Sequence, residues 1–188
     1  MSEVYGSLSV ILALVSYSPY LASTLKGSNK PHVFSWMLWS LLTWIAFAIQ
    51  VVSGAGPGAW ATGVTAFCCA VIASASLKHG EKRITRSDWV AFLAGLLTLP
   101  LWMATKEPVA SALLVTAVDL FGFYPTFRKS WHNPREEMVS THILSAIKHG
   151  LSISALASVS IPTAFYPAAL LLANVLLSGM ILARRLKA

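Results

Sequence analysis

Charge is the scarcest commodity in this sequence, and acid the scarcest charge: Asp and Glu number seven in 188 residues, and charged residues make up only 11% of the chain. A soluble domain carries about 25%. With 56% hydrophobic residues and a mean hydropathy of +0.66, so few charges cannot cover the apolar side chains in water. The composition therefore excludes an ordinary soluble domain and points to a membrane protein. Cysteine is almost missing as well. Cys68 and Cys69 are adjacent within an apolar run and have no metal-ligand spacing, so packing is their expected role. A basic leader is absent too, since MSEVYGSLSV carries Glu3 and runs directly into apolar sequence, which predicts a first membrane span rather than a removable signal.

What the chain does have is a net charge of +7, placed in short loops between apolar runs. That placement suits cytoplasmic retention and anionic lipid head groups, and argues against a nucleic-acid partner. Seven apolar runs can be drawn, at roughly 5–25, 33–52, 57–77, 88–104, 108–127, 139–159 and 163–183, each long enough or nearly so to cross about 30 Å of hydrocarbon. Lys26, Lys30, Lys78, Lys82, Arg83, Arg86, Arg128, Lys129, Arg135, Arg184, Arg185 and Lys187 fall on one side by this count, and Lys106 on the other. The asymmetry predicts an external N-terminus and a cytoplasmic C-terminus.

The outer runs form two similar triplets around the short fourth one. Each has a proline near the end of its first helix, Pro19 or Pro125, then a basic turn with Pro31 or Pro134, then Ser35 or Ser140 opening the next helix. Odd-numbered triplets joined by one helix point the same way, so the expected architecture is all-α, with seven transmembrane helices arranged as two parallel three-helix repeats and a linker (3+1+3). The corresponding units are 1–80, 81–107 and 108–188. Proline inside a helix frees a carbonyl and bends the rod, which makes Pro19 and Pro125 candidate hinges.

Pro19-Tyr20 and Pro125-Thr126, each followed by basic residues and a helix-opening serine, resemble the PQ-loop superfamily, which includes SWEET-type sugar transporters. Tyr20 and Thr126 stand where that family has glutamine, and Pro31 and Pro134 precede the second helices rather than lying within them. The resemblance implies a transporter with a central pocket, in which Asn174 occupies the place of a pocket asparagine.

Independently of any family, Asp119, Lys148, His149 and Asn174 interrupt the apolar runs. Asp119 lies nine residues before Arg128, Lys148 nine after Val139 and Asn174 ten before Arg184. At 1.5 Å per residue these offsets are about 13 to 15 Å, which predicts one polar layer near the bilayer centre. A lone charge there costs at least about 2.5 to 3.5 kcal/mol on insertion scales, so the groups should face the interior, with Asp119 and Lys148 paired. His149 is the group whose ordinary pKa lies near neutrality. Thr141, Ser145, Lys148 and Ser152 form a polar stripe at helical spacing, and Asn174 shares a face with Ser178. Trp39 is the tryptophan placed to stack on a solute, while Trp36, Trp89, Trp102 and Trp131 suit an interfacial belt. His32, His79, His132 and His142 sit at or near loops without visible partners.

Two readings of the layer remain open: a binding or coupling site, or a structural ion pair holding two helices. The function expected is transport of a small polar solute (sugar, amino acid or vitamin-like) by alternating access around a mid-membrane site, proton coupling included. A receptor binding a small ligand or peptide without transport is the alternative. No enzyme is expected, since no nucleophile and base, paired carboxylates or metal cluster share a level. No metal or cofactor is implied. Expected partners are the solute and membrane lipids, in the plasma (inner) membrane, as monomer or homo-oligomer.

Overall fold

The structure is a computed structural model that describes residues 1–27, 31, 33–80, 86, 89–90, 92–94, 96–97, 100, 107–132, 134–136 and 139–187, with side chains at all of these except 124–126, 128–129, 136 and 187. Six α-helices dominate it: α1 (Ser2–Leu25), α2 (Val33–Val52), α3 (Trp60–His79), α4 (Pro108–His132), α5 (Val139–Ser154) and α6 (Ile161–Lys187). Two short 3-10 turns, Gly56–Ala59 and Pro134–Glu136, precede α3 and α5.

Local chemistry sets the boundaries. At the end of α2, Gly54 adopts a left-handed φ of 78°, its N–H donates to Val51 and the Ala55 N–H donates to Gln50, the paired bonds of a Schellman stop. Ahead of α6, the Ser160 N–H donates to Thr163 Oγ1 at 2.9 Å and Pro162 falls in the first turn, where its missing N–H costs nothing. Pro19 lies inside α1 more than a turn before its end, so it does not terminate that helix. Position 125 falls within α4, but its side chain is outside the described set.

The helices close into a ring. α1 packs on α3, α3 on α2, α2 on α4, α4 on α6, α6 on α5, and α5 back on α1. One apolar cluster joins Leu38, Leu42, Ile45 and Ile49 of α2 to Val115 of α4 and Leu170 of α6. A second joins Trp36 to Cys69, Ile72 and Ala73 of α3, with Tyr17, Tyr20 and Leu21 of α1 against it. Large apolar side chains such as Ile11, Phe67, Phe121, Leu172 and Val175 face outward, as lipid contact requires.

Among the described residues, four helical segments are long and apolar enough to cross a membrane: Ser2–Leu25, Val33–Val52, Gly56–His79 and Ile161–Leu186. They make the chain an integral, multi-pass membrane protein, and they coincide with the runs expected at 5–25, 33–52, 57–77 and 163–183. The seven-helix 3+1+3 architecture is corrected by the same observation, and the resemblance to the PQ-loop superfamily and its SWEET-type transporters falls with it. Among the described residues the apolar stretch found in α4 is Pro108–Phe123, and α5 has 16 residues, about 24 Å, short of the hydrocarbon thickness. Most of the run at 88–104 lies outside the described residues. α1 packs as extensively on α5 as on α3.

The ring has two unlike ends. At one, Gly6 abuts Pro57, Gly58 abuts Ser152 and Leu156, and the Ala157 N–H donates to the Ala55 carbonyl at 3.0 Å, so the loops before α3 and α6 meet. At the other, Gly80 abuts Pro31, while Arg184 Nε and Arg185 Nε donate to the carbonyls of Trp131 and Pro134, each at 3.0 Å. Lys26, Lys78 and Arg135 belong to this second, basic end.

Candidate functional site

Polar side chains from all six helices meet inside the ring. Lys148 of α5 is 2% exposed, the largest fully buried side chain among the described residues. Its Nζ donates to Thr65 Oγ1 of α3 at 3.2 Å and lies 5.5 Å from the centre of the Tyr17 ring of α1, a cation–π distance. The Tyr17 hydroxyl in turn shares a hydrogen bond with Cys69. On the opposite wall, Asp119 of α4 is 5% exposed and accepts from the Tyr166 hydroxyl of α6, which also shares a hydrogen bond with Thr43 of α2. Thr43 is itself anchored by donating to the Trp39 carbonyl at 2.6 Å.

Asp119 and Lys148 lie within electrostatic range of each other. The direct ion pair expected between them is not the contact either makes: among the described residues no N···O approach of 4 Å or less joins them, and each is held by a neutral hydroxyl. His149, the next residue to Lys148, is also buried.

Asn174 belongs to a second level. Its Oδ1 lies 3.1 Å from His142 Nδ1, and its Nδ2 donates to the Leu170 carbonyl one turn back at 2.8 Å. His142 precedes Lys148 by six residues and Asn174 follows Tyr166 by eight, so this pair sits about 9 to 12 Å nearer the basic end than the central cluster. The single layer expected from offsets is thus two layers. Tyr17, Tyr20, Trp36 and Trp39 form an aromatic wall beside these levels: the Trp36 Nε1–H donates to the Tyr20 hydroxyl at 3.2 Å, and Trp36 meets Trp39 edge-on at 5.3 Å. Trp36 is buried here rather than placed in an interfacial belt.

Of the other candidates, Ser152 is buried with its Oγ unpartnered, as is Ser178, and Ser145 is half-buried on α5. Trp39 lies against α4, where a Cβ on Gly122 would stand 2.9 Å from its Nε1, one turn from Asp119. Gly122→Ala is therefore expected to displace the indole, lower stability by about 1 to 3 kcal/mol and change the near-ultraviolet circular dichroism. An unchanged spectrum at unchanged stability would show that this contact does not set the ring's pose.

Sequence reasoning missed Thr65, Tyr17, Tyr166, Thr43, Gly122 and His142. Only His142 had an available clue, since Asn174 lies on a neighbouring helix whose polar face it could meet. Among the described residues no group of three His, Cys, Asp or Glu side chains could hold a metal ion. No family description, no curated protein and no solved structure matches this chain.

Proposed function

We propose that this protein carries a small polar solute across the membrane by alternating access, with the Asp119 and Lys148 cluster as its binding point. The observation that carries the proposal is the meeting of one polar side chain from each of six helices, two of them oppositely ionisable, inside a closed helical ring. Charged groups inside membrane bundles are costly and mark pathways for solutes, ions or protons. The contact of the two loops at the non-basic end fits a carrier state closed on that side. Asp119, Lys148 and His149 are the groups able to exchange a proton during the cycle, and the plasma membrane is the proposed location. Carriage of this kind needs no covalent chemistry, and no catalytic role belongs to the proposal.

Counterflow in proteoliposomes, with radiolabelled sugars and amino acids as separate probes and with and without a pH gradient, tests it. Saturable counterflow of at least one probe is the expected result. Saturable binding with no flux identifies a receptor instead and overturns the transport reading. In the same assay Asn174→Ala is expected to lower flux several-fold, because it removes the amide from the second polar level and with it a buried hydrogen bond worth about 1 kcal/mol. Wild-type rates would place Asn174 outside the path.

A further inference from the structure

The two charged groups of the cluster have bonding capacity left over. An ammonium has three donors, of which Lys148 Nζ spends one on Thr65 Oγ1 at 3.2 Å. A carboxylate has about four acceptor positions, of which Asp119 is seen to use one, on Tyr166. Both side chains are buried, on α5 and α4, and they feel each other electrostatically without touching. Two opposite charges taken out of water this way forgo most of the attraction that direct contact would return. A solute bearing both signs restores it.

We infer that the solute is a small zwitterion, with an ammonium and a carboxylate close together, taken up between Lys148 and Asp119. This rests on the transport site proposed above and narrows its substrate class. The carboxylate is received by Lys148 Nζ and by the Thr65 hydroxyl, which already accepts from Lys148 and so has its own proton free to donate onward. The ammonium is received by Asp119, which Tyr166 holds in place. The remainder of the solute then lies toward Tyr17 and Trp36, an apolar surface on the side of the basic end. A sugar would satisfy hydrogen bonds here but would leave both charges uncompensated, and a simple carboxylic acid or amine would compensate only one.

The experiment is a thermal-shift titration of the purified full-length protein with each of the common L-amino acids, with the des-amino acid and decarboxylated amine matched to each, and with glucose. At least one amino acid is expected to raise Tm, and its two truncated counterparts to bind at least about tenfold more weakly, because each leaves one buried charge unpaired. Asp119→Asn is expected to abolish discrimination against the des-amino acid alone, and Lys148→Met against the amine alone. Should either variant fail to fold, the wild-type comparison still decides the matter. No shift with any amino acid, or equal shifts with a truncated counterpart, overturns the zwitterion. Counterflow of glucose in the wild type with no amino acid binding would do so too, while leaving the transport proposal standing. Absence of flux for every probe would instead remove the transport proposal.

Discussion

Lys148→Met is expected to lower solute flux by at least about a hundredfold, and pairing it with Asp119→Asn is expected to restore stability without restoring flux. The single change removes the cation from a site where its Nζ is the donor to Thr65 and the neighbour of the Tyr17 ring. Asp119, 5% exposed, is then left as an uncompensated buried acid, a condition that costs about 3 to 5 kcal/mol when a buried pair is broken from one side. Asp119→Asn removes that penalty while keeping an acceptor for Tyr166, so the double variant should unfold near the wild-type temperature. A structural pair and a working site differ at this point. If the two groups only hold α4 and α5 in place, the stable double variant transports normally, since neutral groups of similar shape replace buried pairs without loss. If they bind or couple, it stays inactive. Melting temperature and counterflow measured on the same preparations separate the outcomes, and wild-type flux in the double variant would refute the site.

Much of this site was legible because ionisable groups stand out against apolar sequence. Asp119, Lys148, His149 and Asn174 interrupt the runs visibly, and the structure buries all four. Their grouping was less legible. Residue offsets along a helix measure height only from a known starting plane, and Arg128, Val139 and Arg184, used as that plane, all lie within helices here, so Asn174 was placed beside Lys148 when its partner is His142. Thr65, Tyr17, Tyr166 and Thr43 left no trace because a hydroxyl among small residues is an ordinary helix contact until a neighbour reaches it. The span count failed for a related reason. A hydropathy window can be drawn through α5, yet that helix is short and carries three ionisable side chains. The polarity that makes α5 line the interior is what disqualifies it as a simple lipid-spanning rod.

Gly58→Ala is expected to open the non-basic end of the ring. A methyl group there would meet Leu156 Cδ2 at 2.5 Å, the Ser152 carbonyl oxygen at 2.8 Å and Leu156 Cα at 3.0 Å. The first neighbour can rotate away, but the other two are backbone, so the turn before α3 and the end of α5 must part. Overpacking of this kind costs about 1 to 3 kcal/mol, and the cost falls on the closed state because only that state brings the two segments together. Since about 1.4 kcal/mol is a factor of ten in an equilibrium, the open population should rise by roughly five- to a hundred-and-fortyfold. Cys68 and Cys69 report it without added probes: they are the only thiols, both are buried, and Cys69 bonds Tyr17 beside Lys148. Labelling by a membrane-impermeant maleimide should therefore accelerate in vesicles of one orientation and not in the inverted ones. Faster labelling in both orientations would mean general loosening. An unchanged rate at a lowered melting temperature would mean that the seal is a fixed cap and that access to Lys148 is gated elsewhere.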